Sequence, residues 1–401
     1  MRLTLIPALA LALAIPAAAQ NGAAQTDRLL HERILTLDTH LDTPALFERR
    51  GWDFDEYHDY DWDGSQVDLP RMEVGGLDGG FFVIYMPQGE LTPQGYAKSR
   101  DDALMRAMHI QRVVAENSDK MAFAYTADDA ERLHREGKRI VYQSIENSYP
   151  LGTDLSLLST FYRFGVRMAG PVHNGNNQFA DSSRPKPGDI SHNGLSPLGR
   201  QWVAEMNRLG MVIDGSHSSD ATLEQMIALS KTPVILSHSG PKAILDHPRN
   251  VSDDLMRKLA RSGGVMQMNM VFIIPPTTVP GREEIGKRQE QWEMLTPAQR
   301  QKLIADKAAL DAHSPRGLAT IDEFMRSLLH ALKVMGVDHV GLGADWDGGG
   351  GLMDMKDITG LPVITARLRQ AGYSEADVAK IWSGNTLRLL RQAERHAAGK
   401  R

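Results

Sequence analysis

The chain contains no cysteine among its 401 residues, and this absence removes several kinds of chemistry at once. Disulfides, thiolate metal sites, iron–sulfur clusters and cysteine nucleophiles are all excluded. Any metal ion must therefore be bound by histidine, aspartate and glutamate, and the sequence has 14 histidines. An excess of basic residues is also missing, because 45 Lys and Arg stand against 50 Asp and Glu. This balance argues against a nucleic-acid partner, since neutralising phosphates needs a basic surface.

Long apolar runs are scarce, and the one that matters lies at the start of the chain. Residues 3–14 are apolar, follow Arg2, and precede the small residues 17–19, which resemble a signal-peptidase cleavage site. We interpret residues 1–19 as a signal peptide that is cleaved near Ala19. The alternative is an anchor that stays attached, but the run is short for a membrane span of ~20 residues. We therefore expect a secreted or periplasmic protein without a stable membrane anchor.

Several common sequence motifs are also absent. No G-x-G-x-x-G follows the first predicted strand, which argues against a dinucleotide-binding sheet. No G-x-S-x-G occurs, which argues against a serine hydrolase of the nucleophile-elbow type. No H-E-x-x-H occurs, which argues against a helical zinc peptidase.

The sequence does contain a regular alternation of short apolar strands with helical patterns. The strands are apolar on both faces, as buried parallel strands are, and the alternation indicates parallel crossover connections. Eight main strands predict an α/β fold of the (β/α)8 TIM-barrel type, forming a single domain over residues 20–401. The predicted strands are 34–39, 79–86, 139–145, 163–169, 210–214, 233–237, 263–269 and 338–344, with a weaker one at 121–125.

Two segments look like insertions into this barrel. Residues 275–318 contain a long charged helical pattern, and residues 51–64 combine six acidic with five aromatic residues. The second segment contains D-x-D-x-D-G from Asp59 to Gly64, like the start of a calcium loop, but Pro70 occupies the position where an EF-hand needs glutamate. We expect residues 51–64 to form a solvated loop, with a lid over the barrel mouth as the alternative.

Polar residues that suit metal binding or acid–base chemistry follow six of the eight predicted strands. In a barrel of this type, the carboxyl ends of the strands and the loops after them form the active-site mouth. Because six strands carry such a residue at the same end of the barrel, we expect these residues to form one site. The residues are Asp38, His40, Asp42, Glu146, His173, Asp214, His217, His238, Asp345 and Asp347.

These residues predict two metal half-sites. His40 and Asp42 lie two positions apart at a strand end, so both side chains point the same way. His217 and His238 form the second pair, and Glu146 is placed to bridge the two. Nitrogen and oxygen ligands without sulfur suit zinc, with manganese, cobalt or iron as alternatives.

The reaction that this arrangement predicts is the hydrolysis of a carbonyl compound. Two cations ~3.5–4 Å apart lower the pKa of a shared water and hold the oxygen of the carbonyl under attack. A metal-bridging hydroxide is then the nucleophile, and Asp345 receives the proton of the water.

The motifs around these residues resemble those of the membrane (renal) dipeptidase family, zinc-dependent exopeptidases on a metal-hydrolase barrel. The most specific match is S-H-S at 237–239 followed by H-P-R-N-V-x-D-D at 247–254. The others are D-x-H-x-D-x-P at 38–44, E-N at 146–147, H-x-x-x-N-x-x-A-D-S at 173–182, N-G-L-S-x-x-G at 193–199, D-x-S-H at 214–217, G-x-G-x-D-W-D-G at 341–348 and G-N-x-x-R at 384–388.

The resemblance implies a role for each site residue. It implies one zinc ion on His40 and Asp42, a second on His217 and His238, and Glu146 as the bridging and catalytic carboxylate. Three further roles are the proton transfer by Asp345, stabilisation of the oxyanion by His173, and a bidentate grip on the substrate's free carboxylate by Arg249.

The resemblance also implies a dipeptidase that is a homodimer and whose substrates include dipeptides with a C-terminal D-residue. One departure concerns the loop after the seventh strand, where family members often carry a tyrosine and residues 268–272 have none. Without the motif, Arg249 would be interpreted as a partner in a surface salt bridge.

Two alternatives to the dipeptidase remain open. The first is another barrel amidohydrolase acting on cyclic amides, esters or lactones, although H-x-D rather than H-x-H in the first strand argues against it. The second is an exported protein that binds peptides without cleaving them. A measurement of bound metal would distinguish this peptide-binding protein from a metal-dependent enzyme.

Overall fold

The structure is a computed structural model that describes residues 17–314 and 317–399. The predicted signal peptide therefore lies outside the described residues, apart from residues 17–19 at the start of the first helix. Among the described residues, no helix has both the length and the apolar character needed to cross a bilayer. The strands are β1 Leu37–Leu41, β2 Gly79–Tyr85, β3 Met121–Phe123, β4 Arg139–Glu146, β5 Val166–Ala169, β6 Val212–Ile213, β7 Ile235–Pro241, β8 Asn250–Val251, β9 Val265–Met268 and β10 Val340–Leu342.

Helices separate most of these strands. Their bounds are α1 Ala17–Arg33, α2 Tyr60–Asp63, α3 Leu69–Gly75, α4 Pro93–Glu116, α5 Ala127–Arg135, α6 Ser156–Phe164, α7 Pro197–Leu209, α8 Asp220–Leu229, α9 Asp253–Arg261, α10 Arg282–Gln289, α11 Pro297–His313, α12 Ile321–Met335, α13 Pro362–Gln370, α14 Glu375–Ala379 and α15 Asn385–Ala398. Short helical turns lie at Thr43–Glu48, Tyr149–Leu151, Trp292–Met294, Val337–His339 and Ile358–Gly360, and a π-helical turn lies at Lys380–Gly384.

Within the described part of the chain, eight parallel strands form a ring. One sheet has the order β1-β2-β4-β5-β6, with β3 paired to the start of β4, and a second has the order β10-β9-β7-β8. Two parallel bridges join the sheets, from Asp214 after β6 to Ile235 in β7, and from Trp346 after β10 to Leu41 in β1. The predicted (β/α)8 class is confirmed. All eight strands run in one direction around the ring, so their carboxyl ends lie on one rim.

The strands are buried on both faces, as their apolar runs predict. On β4, Ile140 and Tyr142 belong to one apolar cluster, while the intervening Val141 and the later Ile145 belong to another. This alternation is the two-residue period of a strand. Serine residues cap the N-termini of three helices around the ring. Ser196, Ser219 and Ser252 accept a backbone N–H in the first turn of α7, α8 and α9, respectively.

Residues 51–64 do not form the solvated loop that we expected. Trp52 and Phe54 are buried, and Trp52 stacks on His58 with 4.6 Å between the ring centroids. His58 Nδ1 lies 2.8 Å from Asp63 Oδ2, and His58 Nε2 lies 2.9 Å from the carbonyl oxygen of Asp53. Both ring nitrogens therefore face acceptors, and these bonds raise the pKa of His58 although its burial lowers it. His58 and Asp63 thus form a buried ion pair.

The same segment packs on α10, on α11 and on the turn between them, which belong to the predicted insertion. Trp62 stacks on Trp292 with the ring planes 7° apart, and Gln289 Nε2 donates to the carbonyl oxygen of Tyr60 at 3.1 Å. Asp61 is paired with Lys307 and Lys356, so its charge is neutralised. Asp61 is therefore matched by two cations from distant parts of the sequence, and Asp55 by a third, Lys120.

Candidate metal centre and active site

The predicted site residues lie together at the carboxyl rim of the barrel. His40 is in β1, Glu146 ends β4, and His238 is in β7. His217 and Asp345 follow β6 and β10 and have positive φ angles of 65° and 68°. Such left-handed backbone is costly for non-glycine residues and is concentrated at functional sites.

Glu146 lies between two pairs of ligand-type side chains. Its Oε1 atom is 2.9 Å from His217 Nε2 and 3.4 Å from His238 Nε2, and these two nitrogens are 2.8 Å apart. Its Oε2 atom is 3.7 Å from His40 Nε2, which is 3.4 Å from Asp42 Oδ2. One carboxylate therefore offers an oxygen to each half of the cluster.

The protonation states of the cluster fit a metal site. Burial lowers the pKa of His217 and of His238 well below the ordinary value, so both imidazoles are neutral. Burial alone would raise the pKa of Glu146, but the neighbouring histidines, His173 and His40 foremost, hold it well below its usual range. Neutral imidazoles and an ionised carboxylate are the forms that bind a cation.

The surroundings of His40 provide a second test of whether these residues suit a bound metal ion. Its Nε2 atom is buried and has no hydrogen-bond partner among the described residues. Burial lowers the pKa of this imidazole, but the carboxylates of Asp42 and Glu146 raise it well above the ordinary value, so the pocket favours positive charge at this atom. A metal cation supplies that charge, and the donor set therefore fits divalent metal ions.

A hydrogen-bond relay orients His238. Ser237 Oγ donates to Asp214 Oδ2 at 2.5 Å and lies 2.9 Å from His238 Nδ1. Because the single hydroxyl proton goes to the carboxylate, the Nδ1–H of His238 must donate to Ser237. In this tautomer the lone pair on Nε2 is free to bind a metal ion. Outer-shell hydrogen-bond partners commonly fix the tautomer of metal-binding histidines in this way.

Replacing Ser237 by alanine is expected to weaken metal binding by ~10–100-fold, the usual cost of losing such a partner. Competition with a chelator measures the affinity. Ser237→Thr keeps the hydroxyl and should restore most of it, while Ser327→Ala, which removes a buried serine from α12, serves as the control. An unchanged affinity in Ser237→Ala would show that the relay does not position the ligand.

A cavity of about 450 Å³ opens over the cluster. His173 lies on one side of it, with Nε2 3.9 Å from Glu146 Oε1 and Nδ1 3.4 Å from the hydroxyl of Tyr85. Burial lowers the pKa of His173 and raises the pKa of Tyr85 to about 12, so the phenol keeps its proton at neutral pH. The phenol can donate to Nδ1, which leaves Nε2–H of His173 as a donor toward the cavity.

Arg249 lies in the lining of the cavity, and the surface salt bridge considered for it is not formed. Its side chain is only 4% exposed, one N–H donates to the carbonyl oxygen of His238 at 3.2 Å, and Nε is buried without a partner. No carboxylate of the described residues lies within ion-pair distance of this guanidinium. Burial lowers the pKa of Arg249 to about 10, so it stays charged at neutral pH. An unpaired buried cation is a site for an anion.

Asp345 completes the cavity on the side of His40. Its Oδ1 atom is 4.0 Å from His40 Nε2, and burial raises the pKa of its carboxyl well above the ordinary value. The structure thus brings together all eight predicted site residues. The sequence analysis did not identify Tyr85, Ser237 or Phe272 as site residues. Tyr85 could have been identified, because this hydroxyl-bearing residue lies at the very end of β2.

A cluster of histidines and carboxylates around one cavity, on the carboxyl rim of a (β/α)8 ring, defines a metal-dependent hydrolase. Residues 24–401 match the sequence profile of the family described as Membrane dipeptidase (Peptidase family M19), and the chain belongs to this family of metallo-dipeptidases. The family membership favours a dipeptidase over both alternatives considered for the sequence.

Relatives and solved structures agree with this assignment. The chain is 31% identical to Dipeptidase tcpJ of Claviceps purpurea over 342 residues, which cover 84% of this chain and 71% of that protein. It is similar to the crystal structure of the probable dipeptidase PvdM from Pseudomonas aeruginosa, with 33% identity and a TM-score of 0.80 over 94% of this chain and 100% of the other. A metallo peptidase from Rhodobacter sphaeroides, liganded with a phosphinate mimic of the dipeptide L-Ala-D-Ala, is 26% identical with a TM-score of 0.69, over 90% of this chain and 99% of the other.

Proposed function

We propose that this protein is a binuclear zinc dipeptidase that hydrolyses the single peptide bond of free dipeptides, including those with a C-terminal D-residue. The observation that carries the proposal is the position of Glu146, whose two carboxylate oxygens face two separate pairs of ligands. His40 and Asp42 would hold one ion, and His217 and His238 the other. When bound, the two cations would acidify a water molecule and polarise the scissile carbonyl.

Asp345 handles the proton in this proposal. Its carboxyl lines the cavity with Oδ1 4.0 Å from His40 Nε2, where it can take a proton from a water molecule and later release it to the leaving amine. His173 provides the complementary group, since its Nε2–H faces the cavity and can donate to the developing oxyanion. Both residues line the same cavity, so a bound peptide bond can contact both of them.

Arg249 fixes which peptide bond of the substrate is cleaved. Its guanidinium has no carboxylate partner and is held within the lining of the cavity, where it can form a charge-assisted bond with the carboxylate of a C-terminal residue. A peptide whose free carboxylate is bound here presents its last peptide bond to the cluster. The D-configuration at this residue is supported by the dipeptide mimic bound to the Rhodobacter sphaeroides relative.

Export and dimerisation belong to the same proposal. The apolar run at residues 3–14 and the small residues at 17–19 support cleavage near Ala19 and a periplasmic protein. N-terminal sequencing of the mature protein should then begin at Gln20. The homodimer rests on the family resemblance, and sedimentation of the purified protein tests it.

Hydrolysis of dipeptides in the presence and absence of metal tests the proposed activity. We expect turnover of L,L-dipeptides and of Gly-D-Ala, complete loss after dialysis against a chelator, and recovery when Zn²⁺ is added back. N-acetylated dipeptide amides, which lack a free carboxylate, are the control substrates and should be cleaved poorly. Turnover that survives complete removal of metal would contradict the proposal.

A further inference from the structure

Asp347 lines the cavity over the metal cluster but has no part in the proposed reaction. Each of its carboxylate oxygens already accepts a hydrogen bond from the protein. Oδ1 accepts from the backbone N–H of Gln66 at 2.6 Å, and Oδ2 accepts from Thr43 Oγ1 at 2.6 Å. Both partners are buried, and they lie in two separate segments of the chain. The carboxylate of Asp347 therefore joins three segments beside the metal centre.

The bond to Thr43 acts on the residue next to a proposed metal ligand. Thr43 directly follows Asp42, and the backbone N–H of Asp42 donates to the carbonyl oxygen of Trp346 at 2.9 Å. Trp346 in turn directly precedes Asp347. One backbone bond and one side-chain bond therefore join these two pairs of neighbouring residues. Together the two bonds hold Asp42 against the loop that follows β10.

Gln66 holds the loop after β10 at a second point. Its Oε1 atom accepts the backbone N–H of Asp347 at 2.7 Å. Its Nε2 atom donates to the carbonyl oxygens of Gly350 and Lys356 at 3.0 and 2.8 Å. Asp347 has a positive φ of 62°, a costly conformation that persists only where the surrounding structure holds it. The bonds with Gln66 supply this support.

The loop held in this way places two carboxylates of the site next to one glycine. A β-carbon added to Gly348 would lie 2.0 Å from Asp42 Oδ2 and 2.3 Å from Asp345 Oδ1, so both oxygens lie beside the α-carbon of this residue. Gly348 directly follows Asp347. The position of Asp347 therefore affects how the metal ligand Asp42 and the proton carrier Asp345 lie relative to each other.

We propose that Asp347 is a positioning residue of the metal centre. Through its bonds to Thr43 and Gln66, it holds the carboxylate of Asp42 toward a metal ion. It thereby also fixes the distance from Asp42 to Asp345. The inference rests on the proposed dipeptidase function. Loss of the bonds to Asp347 weakens the half-site that contains Asp42 and spares the other one.

Titration of the metal-free protein with Zn²⁺ in competition with a chelator tests the proposal. In Asp347→Ala we expect one equivalent to bind with normal affinity and the second to bind ~10–100-fold more weakly, the usual cost of losing a partner that orients a metal ligand. Thr43→Val removes only the hydroxyl group and should weaken the same equivalent. The two substitutions combined should weaken it no more than Asp347→Ala alone, because both break the same bond.

Asp347→Asn distinguishes positioning from a direct effect of the negative charge. Its amide oxygen can accept the N–H of Gln66 and its amide nitrogen can donate to Thr43 Oγ1, so this variant should recover most of the affinity. Asp78→Ala is the matched control, because Asp78 also accepts hydrogen bonds from a threonine, Thr36, at the opposite rim of the barrel. It should lower the temperature of thermal unfolding and leave both metal affinities unchanged.

The results separate this proposal from the function on which it rests. Normal affinity for both equivalents in Asp347→Ala would overturn the positioning role and leave the dipeptidase in place. Binding in Asp347→Asn that is as weak as in Asp347→Ala would overturn it too, since the charge would then matter rather than the hydrogen bonds. If Asp347→Ala does not fold, normal affinity in Thr43→Val overturns the proposal. Absence of zinc binding and of dipeptide cleavage in the unmodified protein would overturn the proposed function and the positioning role together.

Discussion

Replacement of Glu146 by glutamine is expected to lower kcat/KM for any dipeptide substrate by ~10³-fold or more. Each carboxylate oxygen of Glu146 faces one half of the cluster, and the amide nitrogen of glutamine cannot bind a cation. The substitution also removes the negative charge that offsets two divalent ions. Metal catalysis is worth several kcal/mol, and ~1.4 kcal/mol corresponds to a tenfold change in rate.

The measurement combines initial rates with metal analysis of the purified variant. We expect Glu146→Gln to retain fewer equivalents of metal than the unmodified protein. Glu224→Gln is the control, because Glu224 is exposed on α8 and pairs only with the exposed Lys258 among the described residues. A Glu146→Gln protein that kept both its metal content and a rate within ~10-fold of normal would refute the bridging role.

Replacement of Arg249 by alanine is expected to raise KM for a free dipeptide by ~100-fold and to leave KM for the C-terminal amide of the same dipeptide nearly unchanged. A bidentate pair with a carboxylate is worth about 3 kcal/mol, which corresponds to this factor. Stability should not fall sharply, because Arg249 is buried without a carboxylate partner and its removal relieves the cost of burying a charge.

Arg257→Ala is the matched control, since Arg257 is an exposed arginine on α9 that pairs with Asp253 and Asp254. Both KM values should be normal in this variant. Thermal unfolding of both variants shows whether the fold is intact. Equal increases in KM for the free dipeptide and for its amide in Arg249→Ala would refute the carboxylate grip.

The barrel could be predicted from the sequence because its signals are local. Short strands that are apolar on both faces alternate with helical patterns, and a polar residue after a strand must lie on the carboxyl rim once the strands are parallel. His40, Glu146 and His238 therefore meet in the structure although they are about a hundred residues apart in sequence. The two-residue strand β8 was not predicted, since Asn250 and Val251 pair with β7 through two residue pairs only.

The segment 51–64 shows where local signals fail. Six acidic residues predict a solvated surface when their partners are unknown. In the structure Asp63 binds His58, and Asp61 binds Lys307 and Lys356, which lie more than two hundred residues away. Neutralisation by these cations lets Trp52 and Phe54 join the core, a result of tertiary contacts that composition does not contain.

Some details of the site also depend on tertiary contacts that the sequence does not reveal. The S-H-S motif contains Ser237, but its role depends on the distances that link it to Asp214 and His238. Phe272 has a left-handed backbone conformation, and Asn250 Nδ2 donates to its carbonyl oxygen from another part of the chain. Neither relation follows from residue type and spacing.

The metal content of the purified protein tests the central claim most directly. After stripping with a chelator and titration with Zn²⁺, we predict that about two equivalents bind per chain and that dipeptidase activity reaches its maximum with the second. Binding of a single equivalent with full activity, or activity without any bound metal, would contradict a dinuclear centre bridged by Glu146.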